Sequence, residues 1–507
     1  MESEPLGVQR AFPSFEQRLA RSSWVLEEEG LFDAALGWRS HAEPERSRLK
    51  RRARSILRGI PAIGDAGRLG RIGFEAGRAL LAVAITDVIP RRALSALGLE
   101  PDDPEESAES RALYARETFV RLGPTFVKLG QVIASARGIL PDGVVEAFMP
   151  CRDEVPPFEA ARLPQIIEED LGKDPEVIFD GIEQEALAAA SVAQVHAARL
   201  RDGRDVVIKV LRPGIDRVIE ADVRVLSRVI MALNRLIPEL EQANLYGVLS
   251  LFCETVVEEL DLRLEADNMV DIATGLEALG AEDIVVPHPI PGLVGRRVLV
   301  MERLYGRRYS DLTPLERANF DTAYLLHVAM RTVLEGAAIA GTFHGDLHSG
   351  NVFLLPDGKF GLMDFGIVAR MDEPRRRSLV NLMIAVAKDD TEKIIDSFIA
   401  FDTFPSGVDR GELIAAVEET LAQRRATLTS VSLSDFADGL AKVIRVFASH
   451  GARVPKDLLL FLKNLIYLGE AVQALNPGVD LRAEVSKLFD YFVGKYTEEM
   501  ERLGALS

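Results

Sequence analysis

Cysteine is nearly absent: two residues in 507, Cys151 and Cys253, far apart and without C-x-x-C spacing. That excludes a disulfide framework and a cysteine zinc site, and both read as reduced, buried, intracellular residues. Positive charge is in deficit, with 60 Lys and Arg against 78 Asp and Glu and a net charge of −18. Proteins that bind nucleic acid over their surface carry a basic footprint, so that class is excluded. No run reaches the roughly 18 uncharged apolar residues of a spanning helix. The longest candidates, 79–86 and 457–475, are short or interrupted by Lys463 and Glu470. The first residues, Met1-Glu2-Ser3-Glu4-Pro5, lack the apolar core of a secretory signal. The chain is therefore expected to be cytoplasmic, soluble or peripheral on the inner face of a membrane. No internal repeat is visible. Hydrophobic residues make up 48%, enough for sizeable cores.

What is present is concentrated in 343–366. Phe343-His344-Gly345-Asp346-Leu347-His348-Ser349-Gly350-Asn351 is followed by Met363-Asp364-Phe365-Gly366. An Asp, an Asn five residues later and then Asp-Phe-Gly is the spacing of a kinase catalytic loop and its metal-binding turn. Phosphoryl transfer needs a carboxylate beside the attacking hydroxyl and oxygen ligands that hold magnesium across the phosphates. Asp346 fits the first role. Asn351 and Asp364 fit the second, because magnesium prefers hard oxygen ligands. Each element adjoins an apolar strand-like run, 352–355 and 360–363.

The chain around this centre is punctuated. Residues 46–58 are basic on one face, with Leu49, Ala53, Ile56, Leu57 and Ile60 at helical spacing on the other. Two readings fit: an interfacial amphipathic helix, or a surface helix packed on its neighbour. Gly64, Gly67, Gly70, Gly73 and Gly77 follow at intervals that suit close helix contacts or a loose loop. Residues 99–106 read as a linker. A helix carries Lys128-Leu129-Gly130-Gln131 and runs on to Leu140. Segments 192–200 and 206–210 read as strands joined by an Asp-Gly turn at 201–204. Residues 214–275 return to helix, 298–302 is a strand, 313–340 is helical, and the chain is helical after Arg370.

Lys209 ends an apolar strand, where a lysine needs an anionic partner; in kinases it meets the α- and β-phosphates and a helix glutamate. Where a glycine-rich loop is expected, the chain has Ala188-Ala189-Ala190-Ser191 and no G-x-G-x-x-G. Alanine lacks the positive-φ freedom of glycine, so the loop is stiffer. Met301 and Glu302, at the end of strand 298–302, join the nucleotide contacts. His196 reads as a strand residue with a satisfied hydrogen bond. For the lysine partner, Glu220 is near, and an acidic cluster at Glu258, Glu259, Asp261, Glu265 and Asp267 is the stronger candidate, since such crowding is destabilising unless some of it faces cations.

Together these pieces resemble the UbiB (aarF/ADCK) family of atypical protein-kinase-like proteins over roughly residues 108–385. Lys128-x-Gly130-Gln131 matches the family's K-x-G-Q helix, Ala188–Ser191 its alanine-rich loop, and Glu259-x-Asp261 its E-x-D motif; the catalytic and metal loops match as well, and Arg212-Pro213-Gly214 also looks like the family. The resemblance implies an α+β, atypical protein-kinase-like fold: a small β-containing N-lobe, a helical C-lobe and an extra N-terminal helical extension. The implied division is 1–107, 108–302 and 303–507. It implies ATP or ADP binding with Mg2+, in support of isoprenoid-quinone or other lipid biosynthesis, with a lipid or prenylated small molecule as partner. It further implies that Lys128 and Gln131 reach toward Asp364 and the phosphates, that Glu259 and Asp261 brace that helix, and that Glu265 pairs with Lys209. Gly345 replaces the Arg of H-R-D and no A-P-E element follows Gly366, which agrees with a non-protein substrate. The alternatives are a small-molecule phosphotransferase of the aminoglycoside or choline kinase type, with His348 as a structural second histidine, and a nucleotide-dependent non-catalytic scaffold.

Overall fold

The computed structural model describes residues 12–59, 67–68, 70–75, 116–134, 148, 156–236, 245–388, 390–405, 407–425, 442–443, 446–447, 449–452, 454–476 and 481–503. The linker at 99–106, the run 79–86, Gly64, Gly77, the helix end near Leu140 and Cys151 lie outside them. The chain forms two compact units: Met1–Leu36, Glu265–Pro291 and Leu304–Ser507 make one, and Gly37–Leu264 with Gly292–Arg303 the other.

Eleven strands lie among the described residues: β1 Phe179–Ala189, β2 Ala193–Leu200, β3 Asp205–Leu211, β4 Ile284–Val285, β5 Pro289–Val294, β6 Val298–Glu302, β7 Arg307–Arg308, β8 Thr342–His344, β9 Val352–Leu354, β10 Phe360–Leu362 and β11 Val368–Arg370. The second unit is built on a five-stranded sheet in the order β1-β2-β3-β6-β5. The β2–β3 hairpin turns at Gly203, whose φ of 91° suits glycine alone. β1 was not expected from the sequence. It is a polar edge strand whose register against β2 shifts three times, and its exposed Asp180, Glu183 and Glu185 hide any alternation. Charges and bulges of this kind protect an edge from pairing with another chain.

In the same unit the helix Leu31–Arg58 buries Leu49, Ala53, Ile56 and Leu57. Ser227 Oγ, on the helix Ile215–Leu236, donates to Leu57 O at 2.7 Å, and Arg52 pairs with Glu220 at 2.5 Å. The apolar face of 46–58 is thus buried in the protein, which is the packed reading. Cys253 is buried among these helices, and burial pushes its thiol up to about 12. The K-x-G-Q helix, Pro124–Ala134, rests on a small core of Ile72, Leu122, Phe126 and Val225.

The first unit is mainly helical around a core that includes Phe343, Phe398, Phe447 and Phe461. It also holds two small sheets, β4-β10-β9-β7 and β11-β8. Residues near the N-terminus dock onto the helix Leu262–Leu279 and the segment after it: Arg18 meets Asp271 on the helix at 2.5 Å, and the Trp24 ring stacks on His288, between β4 and β5, at 4.3 Å. By contact this segment therefore belongs with the unit that carries the catalytic and metal loops. One described helix, Thr322–Ala340, is long and apolar enough to cross a membrane. It contains Arg331 and Glu335, and 56% of its apolar window is buried in the protein, which is the behaviour of a core helix.

Candidate functional site

The catalytic loop follows β8. Asp346 N donates to His344 Nδ1 at 3.0 Å, so the ring proton sits on Nε2, which donates to Asp364 O at 2.9 Å. One neutral imidazole thus ties the loop bearing the candidate base to the turn bearing the candidate metal ligand. Burial pushes the His344 pKa down, outweighing the nearby Asp346 and Asp364 carboxylates. Gly345 is forced by space. A Cβ there would lie 2.7 Å from Ile367 Cγ2 and 3.1 Å from Ile367 O, so the arginine of H-R-D has no room.

Asn351 donates its amide nitrogen to Asp346 O at 2.9 Å, which leaves its carbonyl oxygen as the atom able to face a cation. Asp364 sits at φ 53°, a left-handed conformation that side chains visit at a cost. Its Oδ1 accepts from Gly366 N at 3.1 Å, which closes the turn. The helix Leu262–Leu279 holds the next residue on both sides. Phe365 N donates to Glu265 Oε1 at 3.2 Å, and Asn268 Nδ2 donates to Phe365 O at 2.8 Å. No group of three or more His, Cys, Asp or Glu placed to hold a metal ion is found among the described residues. One Asp and one Asn are a poor cage alone but suit magnesium, which keeps one or two protein oxygens and completes its shell with phosphates and water.

A residue that sequence reasoning treated as an interruption completes this centre. Lys463, on the helix Lys456–Leu475, places Nζ 2.9 Å from Asp346 Oδ1. Burial lowers the lysine pKa, but Asp346 and Tyr467 more than reverse that, and the ammonium is held above its usual value. Its neighbour Asn464 is fully buried, donates to His344 O at 2.5 Å and accepts from Leu347 N at 3.2 Å. The signal was available: two polar residues, Lys463 and Asn464, inside an otherwise apolar helix. Their partner was not.

In the other unit Lys209 lies on β3 between β2 and β6, opposite Val195 and Leu299, and is 9% exposed. Met301 and Glu302 stand opposite Val207 and Val206 on the neighbouring strand. The expected alanine loop is shorter than its motif. Ala188 and Ala189 belong to β1, opposite Val195 and Gln194, and only Ala190, Ser191 and Val192 form the turn. Ala190 N donates to Ala193 O at 2.9 Å, and Ser191 is buried. Arg212 fastens this turn: its guanidinium donates to Ala190 O at 2.9 Å and Pro156 O at 2.8 Å, and its own N–H to Val192 O at 2.9 Å. His196 bonds Glu183 O at 2.8 Å and Gln194 at 2.7 Å, as a satisfied strand residue should.

Lys128 Nζ pairs with Glu259 Oε1 at 2.8 Å, so Glu259 does hold the K-x-G-Q helix. Gly130 is buried and Gln131 half-buried on that helix. Asp261 pairs with Arg263 at 2.7 Å and His41 at 3.3 Å: burial would raise its pKa, but these two partners hold it below the ordinary carboxylate value. Glu220 is taken by Arg52 and Arg224, which leaves it a poor partner for Lys209. Glu265 Oε1 accepts from the Phe365 amide, as described above.

The ABC1 atypical kinase-like domain matches residues 150–398. An uncharacterised aarF domain-containing protein kinase of the Arabidopsis thaliana chloroplast is 31% identical over 392 residues, 73% of each chain. This chain belongs to the UbiB/aarF family of ABC1 atypical kinase-like proteins. A probable protein kinase UbiB of Aeromonas salmonicida is 32% identical over 385 residues, covering 73% of this chain and 68% of that one. An uncharacterised Mycobacterium tuberculosis protein is 31% identical over 493 residues, 96% of this chain and 94% of that one. The solved M. tuberculosis Rv3197–erythromycin complex is similar with a TM-score of 0.48 and 22% identity, covering 71% of this chain and 90% of that one. The fold is the family's kinase-like ABC1 domain, preceded by an N-terminal extension.

Proposed function

We propose that this chain is an ATP- or ADP-binding, magnesium-dependent atypical kinase or ATPase that supports isoprenoid-quinone or other lipid biosynthesis rather than phosphorylating proteins. The observation that carries the reading is the His344-linked pair of loops. One presents Asp346 as the carboxylate beside the acceptor, and the other presents Asp364, with Asn351, to magnesium. Magnesium would neutralise the phosphate oxygens. Lys209, Met301, Glu302 and the Ala190–Val192 turn are assigned to the nucleotide, and the Lys128–Glu259 pair to gating by the K-x-G-Q helix. Peripheral membrane contact through the exposed basic residues of 46–58 belongs to the same reading.

The test is phosphate release and nucleotide binding by the purified chain, with and without liposomes and prenylated phenols, compared with Asp364→Asn. Removing one charge while keeping shape should weaken nucleotide binding at least tenfold, about 1.4 kcal/mol, in magnesium and much less without it. Equal affinity of both proteins in magnesium would overturn the assignment. The Lys463–Asp346 contact favours a second reading, a nucleotide-dependent scaffold, because it occupies one oxygen of the candidate base. Nucleotide binding with no phosphate release under any lipid condition would select it.

A further inference from the structure

Resting on the kinase or ATPase reading above, we propose that Lys463 is a catalytic residue whose ammonium meets the transferring phosphoryl group. Every residue involved lies in the unit that carries the catalytic and metal loops. Lys463 Nζ stands 2.9 Å from Asp346 Oδ1, and the two side chains are 18% and 20% exposed, so the pair is shielded yet open to a ligand. The lysine is held there from both sides. Its neighbour Asn464 bonds His344 O and Leu347 N, which flank Asp346. One turn on, the buried Tyr467 ring has its centroid 5.4 Å from Nζ, where an aromatic face attracts a cation. The His348 ring of the catalytic loop sits edge-on to Tyr467, with centroids 5.9 Å apart.

A loose phosphoryl-transfer transition state spreads charge over the equatorial oxygens, and fixed cations aimed at that charge are among the largest catalytic terms. Neither loop brings such a cation. Residues 344–351 contain no Lys or Arg, and Arg370, the first after the turn at 364–366, is engaged by Asp271 at 3.0 Å. Stability does not account for Lys463 either, because a shielded ion pair is often no better than apolar side chains of similar size. The acceptor oxygen must come within about 3 Å of Asp346, so the phosphorus it attacks falls within reach of an ammonium on the same carboxylate. The three N–H donors of a lysine rotate about one atom, which lets Asp346 and a phosphoryl oxygen share them. In the step, water or an acceptor hydroxyl forms a bond to the γ-phosphorus. The bond to the bridging oxygen breaks with its electron pair left on ADP, and the acceptor proton passes to Asp346. Burial would lower the Lys463 pKa, but Asp346 and Tyr467 hold the ammonium above its usual value, so Lys463 keeps its own proton throughout.

The test is binding rather than turnover. The full chain in magnesium is titrated with ADP alone and with ADP plus aluminium fluoride, an anion that stands in for the transferring phosphoryl group. Wild type should bind the mimic at least tenfold more tightly than ADP. Lys463→Gln should lose at least tenfold in affinity for the mimic and change its affinity for ADP by less than twofold. Lys463→Arg, which keeps the charge, should recover most of that loss. If Lys463→Gln does not fold, Lys463→Met combined with Asp346→Asn is compared with Asp346→Asn alone, and the same selective loss is expected. Equal losses for ADP and the mimic would make Lys463 a structural residue and overturn the proposal, as would wild-type affinity of the variant for the mimic. Wild type that binds ADP without preferring the mimic would overturn this proposal alone and favour the scaffold. Wild type that binds no ADP would overturn the proposed function, and this role for Lys463 with it.

Discussion

The metal-side loops and the alanine turn serve neighbouring steps of one proposed chemistry, yet they are held in place by opposite means. Residues 344–366 are fastened from far along the chain. Lys463 and Asn464 reach Asp346, His344 and Leu347, and Glu265 and Asn268 reach Phe365. The turn 190–192 is fastened from close by, through Ala193 and Arg212. Remote fastening fixes atoms well but makes them depend on the whole unit being folded. Local fastening survives partial loosening and allows a loop to respond to its neighbours.

The comparison breaks most sharply at Lys463. Lys463→Met leaves Asp346 Oδ1 buried without its cation and should cost about 3 kcal/mol, read as a lowered melting temperature. Adding Asp346→Asn should restore most of that loss. Equal melting of the single and double variants would show that the ion pair is not what holds the loop.

Arg212→Gln should cost about 1 kcal/mol, the net worth of a hydrogen bond or so. Its effect should stay local: amide exchange should speed up at 190–193 and remain unchanged at 344–366. Exchange that rises equally in both regions would erase the distinction between remote and local fastening.

The pH dependence tests the remote side alone. His344 must stay neutral, because Nδ1 accepts from Asp346 N while burial keeps its pKa below the ordinary 6.5. Above 6.5 the folded and unfolded chains both leave this ring neutral. Below it the unfolded chain takes up a proton that the folded chain refuses, so stability falls as pH falls. Melts without divalent metal from pH 7.5 to 5, on the order of the window set by the histidine pKa, should show that decline, and His344→Gln should flatten it. An unchanged slope in the variant would move the pH dependence to other groups.

The last break is at Lys128. Its pair with Glu259 is as shielded as the pair of Lys463 with Asp346, so Lys128→Ala leaves Glu259 Oε1 buried without its cation and should cost a similar ~3 kcal/mol, read as a lowered melting temperature. On the gating assignment it should also alter the preference between ADP and ATP. Unchanged stabilisation of the variant by each nucleotide in magnesium would reduce Lys128 to a helix-bracing residue.

Some of the molecule was legible before folding. The β2–β3 hairpin, the Lys209 strand and the Asp346, Asn351 and Asp364 spacing are local patterns, set by chain geometry over a few residues. β1 was not legible because an edge strand facing water needs no apolar alternation, and the alanine motif consequently read as a loop where half of it is strand. The amphipathic stretch 46–58 had a readable periodicity, but periodicity does not say whether the apolar face meets lipid or a helix. Here the apolar face is buried in the protein, and Leu57 O accepts from Ser227 on the helix Ile215–Leu236.

Sequence alone determined which chemical groups exist and at what local spacing: a candidate base, two candidate magnesium ligands, a strand lysine and an alanine-rich turn without the glycine motif. Tertiary structure decided which charges answer one another. Lys463 meets a carboxylate 117 positions earlier (463 − 346), and Arg18 meets Asp271, 253 positions later. Contact energy depends on distance in space, and distance along the chain carries almost none of that information once the chain has folded back on itself.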